Sequence, residues 1–202
     1  MSSVLVASRN PKKVEELHRI LAPLVPGIEV LGLADVPAYD EPAETEATFE
    51  GNALLKARAA VVATGLPSVA DDSGLCVDAL NGMPGVLSAR WAGPARDDLA
   101  NNRLVLDQLA DVPEDRRGAR FRCAMALCLP DGTETVEFGE MAGAVIREMR
   151  GAGGFGYDAI FVPDGEPRTS AEMTAAEKDS ISHRGRALRA IAPAIAAALQ
   201  GR

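Results

Sequence analysis

Cysteine is scarce in this 202-residue chain: Cys76, Cys123 and Cys128 are an odd number, and none forms a C-x-x-C pair. A disulfide framework is excluded, and a reducing, cytoplasmic setting is expected. Cys123 and Cys128 lie five apart in a strand-like run. They therefore face opposite ways, make no joint metal site and read as buried thiols. Long hydrophobic runs are also missing. No N-terminal segment joins a basic start to an apolar stretch, and the apolar-rich run 187–199 is too short and too closely flanked by arginines to span a membrane. That run reads as a helix facing the core or a dimer partner.

Positive charge is in deficit, with a formal net charge of -8. Such a field repels a polyanion, so nucleic-acid binding is not expected. A small anion is different, because a few lysines and arginines gathered locally can hold a triphosphate. Histidine occurs twice, at His18 and His183. His18 sits among charged residues of a helical pattern and reads as surface. Repeats, low-complexity tracts and linkers are absent, which leaves one globular domain over 1–202.

What is present reads as α/β. A short apolar run, 4–7, feeds a helix with Asn10 as N-cap and Pro11 at its first position, followed by Val14, Leu17, Ile20, Leu21 and Leu24 at helical spacing. A second helix is predicted from about Thr48 to Thr64, ended by Gly65. Ser68-Val69-Ala70 reads as a buried strand stopping at Asp71-Asp72, and 75–80 as another. Residues 99–109 suggest a third helix, and 119–129 with 133–144 a hairpin about Asp131-Gly132. Residues 159–162 read as a last strand, and the remainder as helical, with Thr174 and Glu177 at capping-box spacing. The predicted architecture is an elongated mixed β-sheet with flanking helices, its two lobes set around an active-site cleft.

Five segments carry groups suited to chemistry. Ser8-x-Asn10-x-x-Lys13 stands at a strand-to-helix junction, where free N–H groups and the helix dipole favour phosphate. Asp71 and Asp72 are adjacent on a strand, so their side chains point to opposite faces and one metal would meet only one of them. Glu44 and Glu46 precede the second helix; a carboxylate there and Asp72 would suit magnesium, which takes one or two carboxylates and leaves its other positions to water and substrate phosphates. Gly151-Ala152-Gly153-Gly154-Phe155-Gly156 has the letters of a dinucleotide fingerprint, but a strand follows it where a helix should begin, and no Walker A sequence occurs. In a chain with 4% aromatic residues, the loop instead offers Phe155 and Tyr157 to a base. Finally, Lys178 and Arg184 are cations that could reach phosphate or a base carbonyl, and Arg184 or His183 could donate to a 6-keto oxygen, which sets such a purine apart from adenine.

Together, Ser8-x-Asn10-x-x-Lys13, Thr48-Phe49-x-x-Asn52-Ala53, Ala70-Asp71-Asp72-Ser73-Gly74, 153–158 and Ser182-His183-Arg184-Gly185 closely resemble the RdgB-like dITP/XTP pyrophosphatases, in order and from Val4 to about Leu188. The resemblance implies a homodimer that cleaves non-standard purine nucleoside triphosphates between the α and β phosphates with Mg2+, or with Mn2+ as an alternative metal. It implies Asp72 as the general base or metal-linked carboxylate and Glu44 as a metal partner. It also implies substrate contacts from Ser8, Arg9, Asn10, Pro11, Lys12, Lys13, Ser73, Phe155, Gly156, Tyr157, Asp158, Lys178, His183 and Arg184. The sequence departs from the family pattern at Gly51 and Ala159, and neither departure removes a proposed ligand.

Overall fold

The computed structural model describes residues 2–200. Along the described residues run β1 (Ser2–Val6), α1 (Pro11–Leu24), β2 (Ile28–Leu31), α2 (Phe49–Thr64), β3 (Ser68–Val77), α3 (Asp98–Gln108), β4 (Gly118–Cys128), β5 (Glu134–Val145), β6 (Phe161–Pro163), α4 (Ala175–Ile181) and α5 (His183–Gln200). The strands form one sheet in the order β2-β1-β3-β4-β5-β6. β1 is parallel to β2 and β3, whereas β5 and β6 are antiparallel, so the sheet is mixed as the α/β reading expects.

The helix starts follow local chemistry. Asn10 accepts the N–H groups of Lys12 and Lys13 with Pro11 at the first position, Thr48 accepts the N–H of Gly51, and Thr174 with Glu177 closes a capping box. Gly65 ends α2 at φ 68°, in the left-handed region where a side chain is strained.

Two expectations need correction, and one strand is added to them. β2 was not foreseen. β3 does not stop at Asp71 but runs unbroken through both aspartates to Val77. Buried carboxylates read as a strand end because charge cannot stay inside unpaired, and here partners from neighbouring helices meet them. β6 begins only at Phe161, because residues 158–160 form a 3-10 turn in which Ile160 N–H bonds the Tyr157 carbonyl.

The described chain divides into two compact units, with boundaries that fall inside β3, β4 and β5 and after His183, the first residue of α5. The first contains β1, β2, α1, α2, α5 and parts of those three strands, and its sheet is covered on both faces. Val4, Val6, Val69, Cys123, Met125 and Leu127 pack with α1 and α5 through Leu17, Leu21, Leu188 and Ile191. Leu5, Ala7, Ala70, Ala124, Ala126 and Cys128 pack with α2 through Ala53, Ala57 and Ala60. This is the period of two expected of a strand buried on both faces. The alanines let α2 approach the sheet closely. The second unit has a separate core of Leu75, Val77, Val105, Phe121, Met141, Tyr157, Ile160 and Phe161, with α3 packed in it.

The run 187–199 is core-facing: Ala187, Leu188, Ile191, Ile195 and Leu199 are all buried. Among the described residues no helix is long and apolar enough to cross a membrane. The three cysteines are free thiols, with Cys123 and Cys128 buried in different clusters and Cys76 half-buried.

Candidate active site

The alternation that sorts the apolar side chains also sorts the two carboxylates. Val69 belongs to the α1/α5 face and Ala70 to the α2 face. Two residues on in each case, Asp71 therefore enters the layer of α1 and α5, and Asp72 that of α2.

Asp71 meets cations there. Its Oδ2 accepts from Lys13 Nζ of α1 at 3.0 Å and from Arg184 Nε of α5 at 3.2 Å. Arg184 also donates through Nη1 to Glu16 at 2.6 Å, and its side chain is only 2% exposed. Burial pushes the Asp71 carboxyl upward, but the charges of Lys13 and Arg184 outweigh it and hold the group well below the usual carboxylate range. The same carboxylates outweigh desolvation at Arg184 and keep its guanidinium firmly charged.

Asp72 lies in a different environment. Its Oδ2 accepts from Asn52 Nδ2 at 3.0 Å, and Lys56 Nζ stands 3.7 Å from its Oδ1. Burial raises its carboxyl above the ordinary value, with Lys56 opposing and nearby Glu44 adding to the rise. Lys56 also bonds Glu44 Oε1 at 2.8 Å, so one ammonium serves both carboxylates. Desolvation lowers Lys56, but Asp72, Asp71 and Glu44 overcome it and raise its proton affinity. Asn52 is the tie that brings the acidic stretch here: its Oδ1 accepts the Glu46 N–H at 2.9 Å while its Nδ2 holds Asp72. The departure at Gly51 has a local reason, since a Cβ there would stand 2.7 Å from the Cβ of Glu46.

Two carboxylates converging on one ammonium mark a place where a cation is favoured, and their hard oxygens suit magnesium. Among the described residues no group of three or more histidines, cysteines and acids is disposed to hold a metal. A two-carboxylate set fits an ion that keeps its other positions for water and phosphate oxygens.

At the start of α1, Ser8 Oγ accepts the Asn10 N–H at 3.2 Å, and Asn10 Oδ1 caps Lys12 and Lys13. The Asn10 side-chain oxygen is therefore engaged as a helix cap. Arg9 is exposed and pairs with Glu41, and Lys12 is exposed. Ser73 follows the carboxylates, half-buried, and Gly74 after it admits no side chain because the carbonyl of Gly85 and the hydroxyl of Ser88 press on it.

The second unit holds the glycine loop, residues 151–158. Gly153 N–H bonds the Ala171 carbonyl at 3.0 Å, and Phe155 N–H bonds Asp158 Oδ2 at 2.9 Å. Gly154 has φ 69°, and a Cβ there would run into the Asp158 carboxylate. Lys178 of α4 donates to the same Oδ2 at 2.5 Å and lies 5.1 Å from the Phe155 ring centroid. The ring of Phe155 is half-buried. Tyr157, expected to meet a base, is instead placed in the core: its ring is buried and its hydroxyl donates to the Ser88 carbonyl at 2.8 Å. His183 is buried and stacked on Phe121, with centroids 4.8 Å apart and planes 11° off parallel. His18 is exposed, as its charged neighbours suggested.

Lys56, Asn52 and Glu16 were missed as site residues. A signal existed for the first two: Asn52 and Lys56 are four apart, hence on one helical face, within an alanine-lined helix that had no other reason to carry polar groups there. Glu16 gave no comparable signal, because its partner Arg184 is 168 residues away.

A mixed-sheet α/β protein whose third strand carries a cation-flanked carboxylate pair, with a side-chain-held glycine loop, is the class these features define. The chain belongs to the Ham1 family, whose model matches residues 4–194. It is 64% identical over 198 residues to the dITP/XTP pyrophosphatase of Nocardia farcinica, covering 98% of this chain and 96% of that one. Among solved structures it resembles the nucleoside-triphosphatase / dITP/XTP pyrophosphatase of Mycobacterium abscessus, at 58% identity and TM-score 0.77 over 95% of this chain and 99% of that one. A HAM1 protein from Coxiella burnetii is similar at 39% identity and TM-score 0.86, over 96% and 98% of the two chains.

Proposed function

We propose that this chain is a magnesium-dependent hydrolase of non-standard purine nucleoside triphosphates, such as dITP and XTP, releasing the monophosphate and pyrophosphate. One observation carries the chemistry: β3 sends Asp71 into a layer where Lys13 and Arg184 neutralise it, and Asp72 into one where its carboxyl is raised beside Glu44 and Lys56. The substrate class is supported by the names of relatives that share more than half of this chain's residues.

Asp72 and Glu44 would hold the metal, which when bound supplies charge to offset the phosphate oxygens. Manganese would suit the same oxygen donors. Asp72, its Oδ2 held by Asn52, is the group suited to taking a proton from the attacking water. Lys13 and Lys56, fixed by carboxylates on one side, direct their remaining N–H bonds to phosphate. Ser8 and the α1 start, from Arg9 and Asn10 through Pro11 and Lys12, line the phosphate path, and Ser73 is a further substrate contact. Phe155 stacks on the base, Lys178 donates to its 6-keto oxygen, and Gly156, Tyr157 and Asp158 shape the loop that presents them. His183 supports the base-reading side. Arg184 acts at the substrate through Lys13 by way of Asp71. The enzyme works as a homodimer in the cytoplasm, a setting that suits its three free thiols.

The test is a panel of dITP, XTP, dGTP, dATP, dUTP and dTTP incubated with Mg2+, with released products identified. The proposal expects monophosphate and pyrophosphate from dITP and XTP well ahead of the rest. Tight binding of dITP with the nucleotide recovered intact would make the protein a sensor, and preference for dUTP or dTTP would move it to pyrimidine substrates.

A further inference from the structure

The first turn of α3 holds the glycine loop from outside it. Asp98 Oδ2 accepts the Gly156 N–H at 2.7 Å, and Asn102 Nδ2 donates to the Gly156 carbonyl at 2.8 Å. These residues are four apart, one helical turn, and so stand on one face about 6 Å apart along the axis. Gly156 is at φ 63°, a left-handed conformation that no regular ladder supports, and α3 grips its N–H and its carbonyl together. Asn102 also donates to the Asp98 carbonyl at 2.6 Å, which ties the two grips to each other.

The orientation of the Asn102 amide is forced, because both neighbours of its nitrogen are carbonyls and only the NH2 end can face them. Among the described residues its Oδ1 then has no donor, in a side chain whose residue is 3% exposed. An unpaired buried acceptor opposes stability, and an apolar residue at this helix position would remove it. Asn102 is thus better explained by what its nitrogen holds than by what it adds to the core.

The gripped residue lies directly between Phe155 and Tyr157. Tyr157 is anchored in the core, and Phe155 is tied by its own N–H to Asp158, beside Lys178. The peptide groups of Gly156 are therefore one freedom of the backbone by which the Phe155 ring could shift relative to Lys178.

We infer that Asp98 and Asn102 are positioning residues that set base selectivity by clamping Gly156, and so the placement of Phe155. This rests on the reading of the glycine loop as the base site. A clamp of this kind acts on substrate binding and on discrimination between bases, and leaves proton transfer at Asp72 alone.

The experiment measures kcat and KM for dITP and dGTP in Asp98→Ala, Asp98→Asn, Asn102→Ala and Phe155→Ala, with a thermal melt of each. Loss of one such bond predicts that Asp98→Ala and Asn102→Ala each raise KM for dITP about three- to tenfold, with kcat within about twofold. The dITP-over-dGTP ratio of kcat/KM falls in both. Asp98→Asn keeps an acceptor for the Gly156 N–H and stays near the parent in KM and ratio. If Phe155→Ala raises KM while Asp98→Ala and Asn102→Ala leave KM and the ratio unchanged, the clamp is overturned and the loop reading stands. If Phe155→Ala changes neither, the loop reading falls and the clamp's role with it. A drop in melting temperature and kcat with unchanged KM and ratio would reduce the two residues to fold support. Asp98 is exposed, so its variants report even if Asn102→Ala does not fold.

Discussion

In the first unit most of the groups proposed for phosphate and metal ride on β3, α1, α2 and α5, whose backbones are held by regular hydrogen bonding, while Ser8 and Glu44 lie in the segments that lead into α1 and α2. In the second, the loop 151–158 has no such ladder, and its peptide groups are held by Asp98, Asn102 and Asp158 together with the Ala171 carbonyl. The difference follows from what each is proposed to present. Charges need only side chains at the right place, which a strand alternating by two and helices repeating by 3.6 supply. A ring that must sit against a flat ligand needs the backbone itself to be bent and then fixed. Glycine permits the bend, and neighbouring carboxylates and an amide stop the loop from wandering.

Within the first unit the same contrast recurs between neighbours. Asp71, with two cations, is held charged; Asp72, with its carboxyl raised, is the one proposed for the chemistry. The largest break is therefore Asp72→Asn. Loss of a general base costs about 10²–10⁴ in rate, and with a metal contact also lost turnover should fall by at least about 10³, while the thermal melt stays close to the parent. Near-normal kcat in this variant would end the assignment.

Asp71→Asn should show the reverse. It removes a buried carboxylate from between Lys13 and Arg184, leaving those cations with less compensation, and breaking a buried pair in this way costs about 3–5 kcal/mol. For a chain of this size that is a fall of roughly 10 °C or more in melting temperature. Folded Asp71→Asn should still turn over dITP measurably, with a raised KM because Lys13 has lost its guide. A variant that melts like the parent but is inactive would reverse the roles of the two aspartates.

How much of this could be read from the chain itself also divides along these lines. The opposite facing of Asp71 and Asp72 was legible because strand geometry alone dictates it. So were the caps at Asn10, Thr174 and Gly65, which depend on neighbours within a few residues. The resemblance added the ordering of the motifs and the family. What escaped was set at a distance: β3 continues through two acids only because α1, α2 and α5 bring cations or amides to them. Lys56 entered the site through Glu44, 12 residues before it, and through a strand beyond its own helix. β2 is four residues long, too short for a pattern to show, and exists through its parallel pairing with β1. Tyr157 looked like a partner for a base because its core position depends on Ser88, 69 residues away.

The smallest effect tests how α4, which carries Lys178, is held in the second unit. Glu177 is exposed and caps that helix, and its carboxyl is lowered to about 2 by the Thr174 backbone N–H first, then by the Thr174 hydroxyl and Arg168. A carboxylate lowered on folding stabilises above its unfolded value, near 4.5, and that contribution is lost as pH falls toward about 2. Glu177→Gln keeps an acceptor for Thr174 but not the charge. The urea midpoint of the variant should therefore lie slightly below the parent at pH 6, and the gap should narrow by pH 3.5. A gap that does not change with pH would mean that hydrogen-bond geometry, and not charge, fixes the start of α4. The second unit would then differ from the first in a further respect, since its elements would be held in place with no contribution from ionised groups at this cap.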